Sequence, residues 1–209
     1  VKDISIPHWG ILFVAGKHLA GAGAAAFHIA VAGEYRLEAL TPLVIDGDHG
    51  LDGVVGPYNS AVGVETLPLY IGAGLVPIRL TSDEETNGLG FTLQPMTYQI
   101  APVASQALTQ WLGAKKVAIA YDPTQNYTVS VSKKLKGSLE AVGVTVTAYE
   151  QVQPGKKSYA DVVDKLAAAK PDVIYAAVYF PEGGLIAKEM QQGKVDSQCI
   201  ADYASYDTG

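Results

Sequence analysis

The hydrophobic pattern is most regular in the second half of the chain. Short, nearly continuous apolar runs alternate there with longer stretches that repeat apolar residues at helical spacing. The predicted strands span residues 116–121, 144–148, 173–179 and 197–202, and the predicted helices between them span residues 127–142, 158–170 and 183–192. Four strands that alternate with three helices predict a parallel, doubly wound α/β sheet with right-handed crossovers.

Two finer features of this half concern its helices. Ser158 and Asp161 have the spacing of a capping box at the start of a helix. A helix that precedes the first of the four strands is predicted over residues 98–112, with one apolar face formed by Ile100, Val103, Leu108 and Leu112.

Residues 52–82 predict a strand, a tight turn, a helix and a second strand. The helix begins at Asn59 and Ser60, and the second strand ends at Thr81 and Ser82. In open α/β sheets, ligands bind at the carboxyl ends of the strands, and a helix N-terminus favours an anion. Ser60 is therefore open to two interpretations, a simple N-cap or a ligand contact.

The first 50 residues have the least regular pattern. A short strand is predicted at residues 3–6 and a helix at residues 37–45. The apolar run 11–33 predicts a helix of about ten residues, followed by a buried strand at residues 26–32. Its lysine, histidines and glycines disfavour a membrane span.

A possible nucleotide motif lies inside this run. Residues 21–26, GAGAAA, fit the pattern GxGxxA, and Asp46 has the spacing of the acidic partner. The four residues before the motif make a poor buried strand, which a dinucleotide site requires. An NAD(P)-dependent oxidoreductase therefore stays a less favoured alternative.

The composition changes near residues 95–97. A polar, turn-like segment with Asp83, Glu84 and Glu85, predicted to be solvated, leads into a strand at residues 90–94. We therefore predict two lobes, residues 1–95 with an irregular N-terminal part and residues 96–209.

Composition limits the function classes. The 209 residues are 48% hydrophobic and 17% charged, as in folded rather than disordered proteins. The formal net charge of −6 argues against a nucleic-acid partner. Cys199 is the single cysteine, which excludes a disulfide within the chain, and its apolar surroundings predict a structural thiol. The chain begins at Val1 with neither a Met nor a signal, so we expect a processed or trimmed product.

The sequence offers no catalytic constellation. The four histidines lack metal-ligand spacing, and the GxSxG nucleophile elbow is absent. The segment 155–158, GKKS, lacks the first glycine of a phosphate-binding loop. We therefore expect neither enzymatic activity nor a metal or cofactor.

Polar and aromatic residues recur instead at the predicted strand ends. They are Asn59, Ser60, Thr81 and Ser82 in the first lobe, and Tyr127, Tyr179 and Asp202 in the second. Because a doubly wound sheet presents its ligand contacts at this edge, the pattern predicts a binding cleft.

From about residue 52 to 202 the chain resembles the type I periplasmic substrate-binding proteins, in the branched-chain amino-acid branch that serves ABC transporters. The matching stretches are VVGPYNS, LPLYIGAGLVPI, LGAKKVAIAYD and DVIYAAVYFPEGG. The family's Tyr-x-Pro-Glu sequence is present as residues 179–182.

The resemblance implies two α/β lobes that close on a small ligand, an amino acid or a related polar molecule. It implies an exported, periplasmic or membrane-anchored monomer that delivers the ligand to the membrane permease of an ABC transporter. Carried over by position, Ser60 with Thr81 or Ser82 would hold the ligand's carboxylate and ammonium groups. Tyr127 and Tyr179 would line the pocket and Asp202 would complete ammonium recognition, whereas Trp9 matches a pocket aromatic only roughly.

The chain also departs from the family. Arg79-Leu80 stands where the family has Ser-Pro, and Arg79 would favour an acidic ligand. Family members run about half as long again, so we expect the first lobe to be incomplete. A ligand-sensing regulator or receptor of the same fold stays open as an alternative to transport, because fold alone does not decide function.

Overall fold

A computed structural model describes residues 10–16, 27–32 and 51–206 of the chain. The chain divides into two units, Val1–Met96 and Thr97–Gly209. Each has its own sheet, and each is described separately.

The first unit contains a mixed five-stranded sheet in the order β2-β1-β3-β4-β5. Its strands are β1 (Gly10–Gly16), β2 (Phe27–Ala32), β3 (Leu51–Val55), β4 (Pro77–Arg79) and β5 (Phe91–Thr92). Strands β3, β4 and β5 pair in parallel, whereas β1 runs antiparallel to both β2 and β3. The predicted parallel sheet of this unit is thus limited to β3–β5.

The start of the chain differs from the expectation. The predicted helix at the beginning of the run 11–33 is wrong over residues 11–16, which form β1, whereas the strand predicted at 26–32 is confirmed as β2. A short, continuous apolar run has no period that separates helix from strand, and β1 finds strand partners on both sides. The predictions for residues 3–6, Trp9, 21–26 and 37–45 lie outside the described residues.

One helix, α1 (Ser60–Gly72), connects β3 to β4. Leu67 and Tyr70 lie on its buried face and form a small core with Val54 of β3. Among the described residues this core stays small, because β4 and β5 contribute no side chain to it and both residues of β5 are exposed.

The second unit is built on a four-stranded, fully parallel sheet in the order β7-β6-β8-β9. Its elements are α2 (Thr97–Gln106) with a π-helical continuation (Ala107–Trp111), β6 (Lys116–Tyr121), α3 (Asn126–Ala141), β7 (Thr145–Gln151), α4 (Ala160–Ala168), β8 (Val173–Ala177), α5 (Glu182–Gln192) and β9 (Gln198–Ala201). The predicted alternation of four parallel strands with three helices is confirmed.

Alternate side chains of β6 enter different cores. Val117 and Ile119 belong to the cluster formed with α2 and α3. Ala118 and Ala120 belong to the cluster formed with α4 and α5. The continuous apolar run in the sequence therefore reflects a central strand with both faces covered.

The buried face of α2 differs from the prediction. Val103 and Leu112 are exposed, while Leu108 is buried and Ile100 packs at the edge of the core. The residues that α2 buries toward α3 are mostly small, namely Thr97, Ala101 and Ser105. Small side chains let two helices approach closely, and this face carries little hydrophobic signal in the sequence.

The predicted capping box at Ser158 is wrong. Helix α4 begins at Ala160, and Tyr159 occupies the N-cap position without a side-chain hydrogen bond. The Ser158 hydroxyl accepts from the Ala160 amide at 3.3 Å and donates to Glu189 at 2.6 Å. Asp161 pairs instead with Lys156, at 3.5 Å.

Among the described helices, none is long and apolar enough to cross a membrane.

The packing of the second unit on both faces of its sheet leads to a prediction about stability. Leu135 of α3 is fully buried, so Leu135→Ala leaves a cavity and should lower the free energy of unfolding by about 3 kcal/mol. Val129→Ala on the same helix removes an exposed side chain and should change it by no more than about 0.5 kcal/mol. Urea unfolding of both variants checks this, and equal losses would contradict the described packing.

A second prediction concerns acid stability. Asp172, between α4 and β8, accepts the backbone N–H groups of Lys115 at 2.7 Å and Lys116 at 2.8 Å. These bonds hold the pKa of Asp172 below its usual value, so its stabilising contribution exists above the unfolded-state pKa of about 3.9 and is lost as the pH falls through the folded-state pKa. Asp172→Asn should therefore lose stability less steeply below about pH 4.

Urea unfolding at a series of acidic pH values measures how steeply the free energy of unfolding falls with pH. The matched control is Asp164→Asn, which removes an exposed carboxylate from α4. A slope that changes equally in both variants would contradict the role of Asp172.

Candidate functional site

The N-terminus of α1 is capped by Asn59. Its side-chain oxygen accepts from the backbone N–H groups of Ala61 at 2.9 Å and Val62 at 3.3 Å. The interpretation of Ser60 as the N-cap is therefore wrong. Because Asn59 already satisfies two first-turn amides, these amides are not available to an anion.

The Ser60 hydroxyl makes a different connection. Its oxygen accepts the backbone N–H groups of Ser82 and Asp83, both at 3.2 Å. Two donors directed at one hydroxyl oxygen leave its own proton to be donated. Among the described residues, no hydrogen bond runs from the Ser60 hydroxyl to an acceptor, so within that part of the chain the proton of this buried hydroxyl is unused.

The loop after β4 is held against α1. Asp83 caps the short 3₁₀ turn Glu84–Thr86 by accepting from the Glu85 amide at 2.9 Å. Asp83 is buried, so the prediction that it is solvated is wrong, whereas Glu84 and Glu85 are exposed.

Helix α1 approaches this loop closely at Gly63. A Cβ at this position would lie 2.6 Å from the Cγ2 atom of Thr81. Glycine is therefore required here for helix and loop to meet.

Thr81 and Ser82 have partners within the first unit. The fully buried Thr81 hydroxyl donates to the Thr86 hydroxyl at 3.0 Å. The Ser82 hydroxyl donates to the side-chain oxygen of Gln94 at 3.4 Å. Of the four predicted site residues that the structure describes in this unit, Ser60 has the clearest unused hydrogen-bonding capacity.

Arg79 is almost completely buried, with 2% of its surface exposed. Its Nη1 atom donates to the Thr81 carbonyl at 2.7 Å and to the hydroxyls of Thr81 and Thr86 at 2.9 and 3.1 Å. Its Nε atom donates to the Leu89 carbonyl at 3.1 Å. These partners are uncharged, and burial lowers the pKa of Arg79. The side chain organises the loop from inside.

In the second unit, Asp202 follows β9 and is buried between two tyrosines. Its Oδ1 atom accepts from the Tyr127 hydroxyl at 2.8 Å and from the Ala204 amide at 3.1 Å. Its Oδ2 atom accepts from the Tyr175 hydroxyl. Burial raises the pKa of Asp202, and the three hydrogen bonds oppose that rise.

The tyrosines around Asp202 form an aromatic cluster. The Tyr127 ring meets those of Tyr179 and Tyr203 edge-on, with centroid distances of 6.3 and 5.2 Å. Burial, followed by the nearby Asp202 carboxylate, raises the pKa of Tyr127 well above its usual value. The structure thus brings together three predicted residues, Tyr127, Tyr179 and Asp202.

Tyr175 was missed in the sequence because it lies inside a buried strand and not at its end. One signal was present, since a tyrosine in a buried strand requires a partner for its hydroxyl. That partner is Asp202.

Two further buried carboxylates lie at the same edge of this sheet. Asp122, after β6, accepts the backbone N–H and the hydroxyl of Thr124 at 2.8 and 2.7 Å. Glu182, at the start of α5, accepts the Gly155 amide at 2.9 Å and the Tyr159 hydroxyl at 3.3 Å. The described residues contain no group of three side chains suited to hold a metal ion.

The candidate residues of the first unit thus carry hydroxyl and amide groups, and those of the second unit carry tyrosine and carboxylate groups, with hydrogen bonds inside each unit. Such groups suit reversible binding of a small polar molecule. The family model for "Periplasmic binding protein" matches residues 45–208, well over half of the chain. The chain belongs to the periplasmic binding protein family.

Curated members of this family are similar over most of the chain. The Leu/Ile/Val-binding protein BraC3 of Rhizobium johnstonii is 29% identical over 164 residues, which cover 76% of this chain and 44% of that protein. The chain therefore spans less than half the length of this relative.

Solved structures of periplasmic binding proteins share the fold. The branched-chain amino-acid transporter substrate-binding protein LivJ of Streptococcus pneumoniae, in complex with isoleucine, matches with a TM-score of 0.68 at 20% identity, covering 78% of this chain and 47% of that one. A solute-binding protein of an ABC transporter from Rhodopseudomonas palustris, in complex with p-hydroxybenzoic acid, matches with a TM-score of 0.70 at 15% identity, covering 80% and 47%. At these identities the likeness shows the fold alone.

The Asp202 cluster makes a third prediction. Tyr175→Phe removes one hydrogen bond to a buried carboxylate and should lower the free energy of unfolding at neutral pH by about 2 kcal/mol. It should also raise the pKa of Asp202 further, because the Tyr175 hydrogen bond lowers that pKa.

A raised folded-state pKa means that ionised Asp202 costs stability as the pH rises through that pKa. The destabilisation by Tyr175→Phe should therefore shrink in acid, where Asp202 is protonated. Urea unfolding at neutral and acidic pH measures this. Tyr121→Phe is the control, since the Tyr121 hydroxyl only accepts from Gln151 near the surface. A loss independent of pH would contradict the interaction.

Proposed function

We propose that this chain is the ligand-recognising part of an exported, periplasmic substrate-binding protein. Its ligand is a small amino acid or a related polar molecule that carries a carboxylate, and the protein delivers this ligand to the permease of an ABC transporter. We also propose that the protein is monomeric and non-catalytic, that it uses no cofactor, and that it does not bind nucleic acid. Family membership and the similarity to Leu/Ile/Val-binding proteins support it.

The observation that carries the proposal is the Ser60 hydroxyl. It accepts two backbone amides at 3.2 Å and retains a proton to donate. It also lies in the first turn of α1, where the helix dipole favours a negative group. A ligand carboxylate at this position would accept a charge-assisted hydrogen bond.

The other predicted contacts stay predictions. Asn59, Thr81 and Ser82 in the first unit already take part in its internal hydrogen bonds. In the second unit, the Tyr127 hydroxyl donates a hydrogen bond to Asp202. The half-buried Tyr179 ring contacts the Tyr127 ring edge-on. Trp9 lies outside the described residues.

Titration calorimetry with a panel of ligands tests the proposal. The panel contains leucine, isoleucine, valine, other amino acids, their amides, and small acids that include p-hydroxybenzoate. We expect at least one carboxylate ligand to bind. Heat from none of them would overturn the ligand class, and a transport assay with the permease would separate transport from sensing.

A fourth prediction concerns Ser60. Ser60→Ala should weaken binding of the best carboxylate ligand about tenfold or more, because a hydrogen bond to a charged group is lost. Ser130→Ala is the control, since it removes a serine hydroxyl from α3 that is bonded only to Thr97 at 2.9 Å. Equal binding by the Ser60 variant and the wild type would remove Ser60 from the site.

A further inference from the structure

Arg79-Leu80 stands where the periplasmic binding proteins have Ser-Pro. The hydrogen bonds of Arg79 indicate a role for this side chain. The guanidinium is buried among hydroxyl and carbonyl acceptors of its own unit. Burying a positive charge is costly unless it is well hydrogen-bonded. A buried arginine with uncharged partners therefore suggests that its charge contributes something beyond packing.

A single peptide group connects Arg79 to Ser60. The carbonyl of the Thr81–Ser82 peptide accepts from Arg79 Nη1 at 2.7 Å. The N–H of the same peptide donates to the Ser60 hydroxyl oxygen at 3.2 Å. Because the peptide group is planar, fixing its carbonyl also fixes the direction of its N–H.

The connection is electronic as well as geometric. Hydrogen bonds in a chain polarise one another, and the effect is greater in a low-dielectric interior. The cationic donor at the Thr81 carbonyl makes the Ser82 N–H a better donor. The Ser82 N–H in turn makes the Ser60 hydroxyl a better donor.

We propose that Arg79 is a positioning residue for recognition of an anionic ligand group. It acts through the Thr81–Ser82 peptide, which fixes and polarises the Ser60 hydroxyl toward that group. This inference rests on the proposed function, because it takes Ser60 to contact a ligand carboxylate. The planar guanidinium is needed, since its Nη1 and Nε atoms serve four acceptors in fixed directions, and a lysine ammonium offers no such geometry.

A ligand-free experiment tests the connection itself. Amide proton shifts and exchange rates of Ser82 are recorded by NMR for the full chain and for Arg79→Lys, Arg79→Met and Ser60→Ala. We expect each substitution to move the Ser82 proton upfield and to speed its exchange, and Arg79→Met to have a larger effect than Arg79→Lys. An unchanged Ser82 signal in a folded Arg79 variant overturns the inference, and Arg79→Lys serves if Arg79→Met does not fold.

Thr92→Val is the matched control. The Thr92 hydroxyl donates to the same Thr81 carbonyl at 3.3 Å, but it is uncharged and exposed. Removing the Thr92 hydroxyl should change the chemical shift of the Ser82 amide proton less than removing the Arg79 charge does. An equal shift would mean that the charge is not used.

A binding experiment tests the consequence with L-leucine and L-leucinamide as probes. Arg79→Lys should weaken leucine binding about threefold to tenfold and leucinamide binding less, because only leucine has a carboxylate. In the Ser60→Ala background, Arg79→Lys should have no further effect on leucine. Additive effects would show that Arg79 acts only on the general structure and would overturn the inference.

The two experiments separate this inference from the proposed function. If the Ser82 signal responds as expected but neither leucine nor leucinamide binds, the connection stands and leucine as the ligand is overturned. If leucine binds and the two substitutions add, the proposed function stands and the role of Arg79 falls.

Discussion

The requirement that buried polar groups be hydrogen-bonded governs the carboxyl edges of both sheets. Parallel strands end there in loops, and the loops bring carboxylates, hydroxyls and amides out of contact with water. In the described part of the chain, every buried side-chain nitrogen and oxygen has a partner. Asp202 is satisfied by two tyrosines and an amide, and Arg79 by hydroxyls and carbonyls. In each unit, the candidate site residues thus belong to the hydrogen-bond networks that stabilise these loops.

The fold of the second unit could be read from the sequence because its physical causes are local. A strand covered on both faces is apolar along its buried length, as β8 is, and as β6 is after the exposed Lys116. The start of the chain could not be read in this way, since β1 is fixed by distant partners in β2 and β3. The buried face of α2 could not be predicted for another reason. Its residues Thr97, Ala101 and Ser105 are small or polar and give no hydrophobic period.

For the candidate site, sequence reasoning nominated residues but could not give their hydrogen-bond partners. Ser60, Tyr127 and Asp202 were nominated from their place after strands or at helix starts. That Asn59 is the cap, that Tyr175 supports Asp202 and that Arg79 turns inward depend on side-chain directions in three dimensions. A strand-end pattern can therefore nominate ligand contacts, but it does not show which of these side chains already have hydrogen-bond partners inside the protein.

The strand order of the second unit also bears on how this unit folds. Strand β6 pairs with β7, the next strand in the chain, and then with β8 on its other side. Its first pairing closes a loop of a single helix, which carries a small entropic cost compared with joining distant segments. We therefore expect residues 116–151 to form the nucleus on which later strands assemble. During synthesis on the ribosome, this segment would be ready to fold before β9 has emerged.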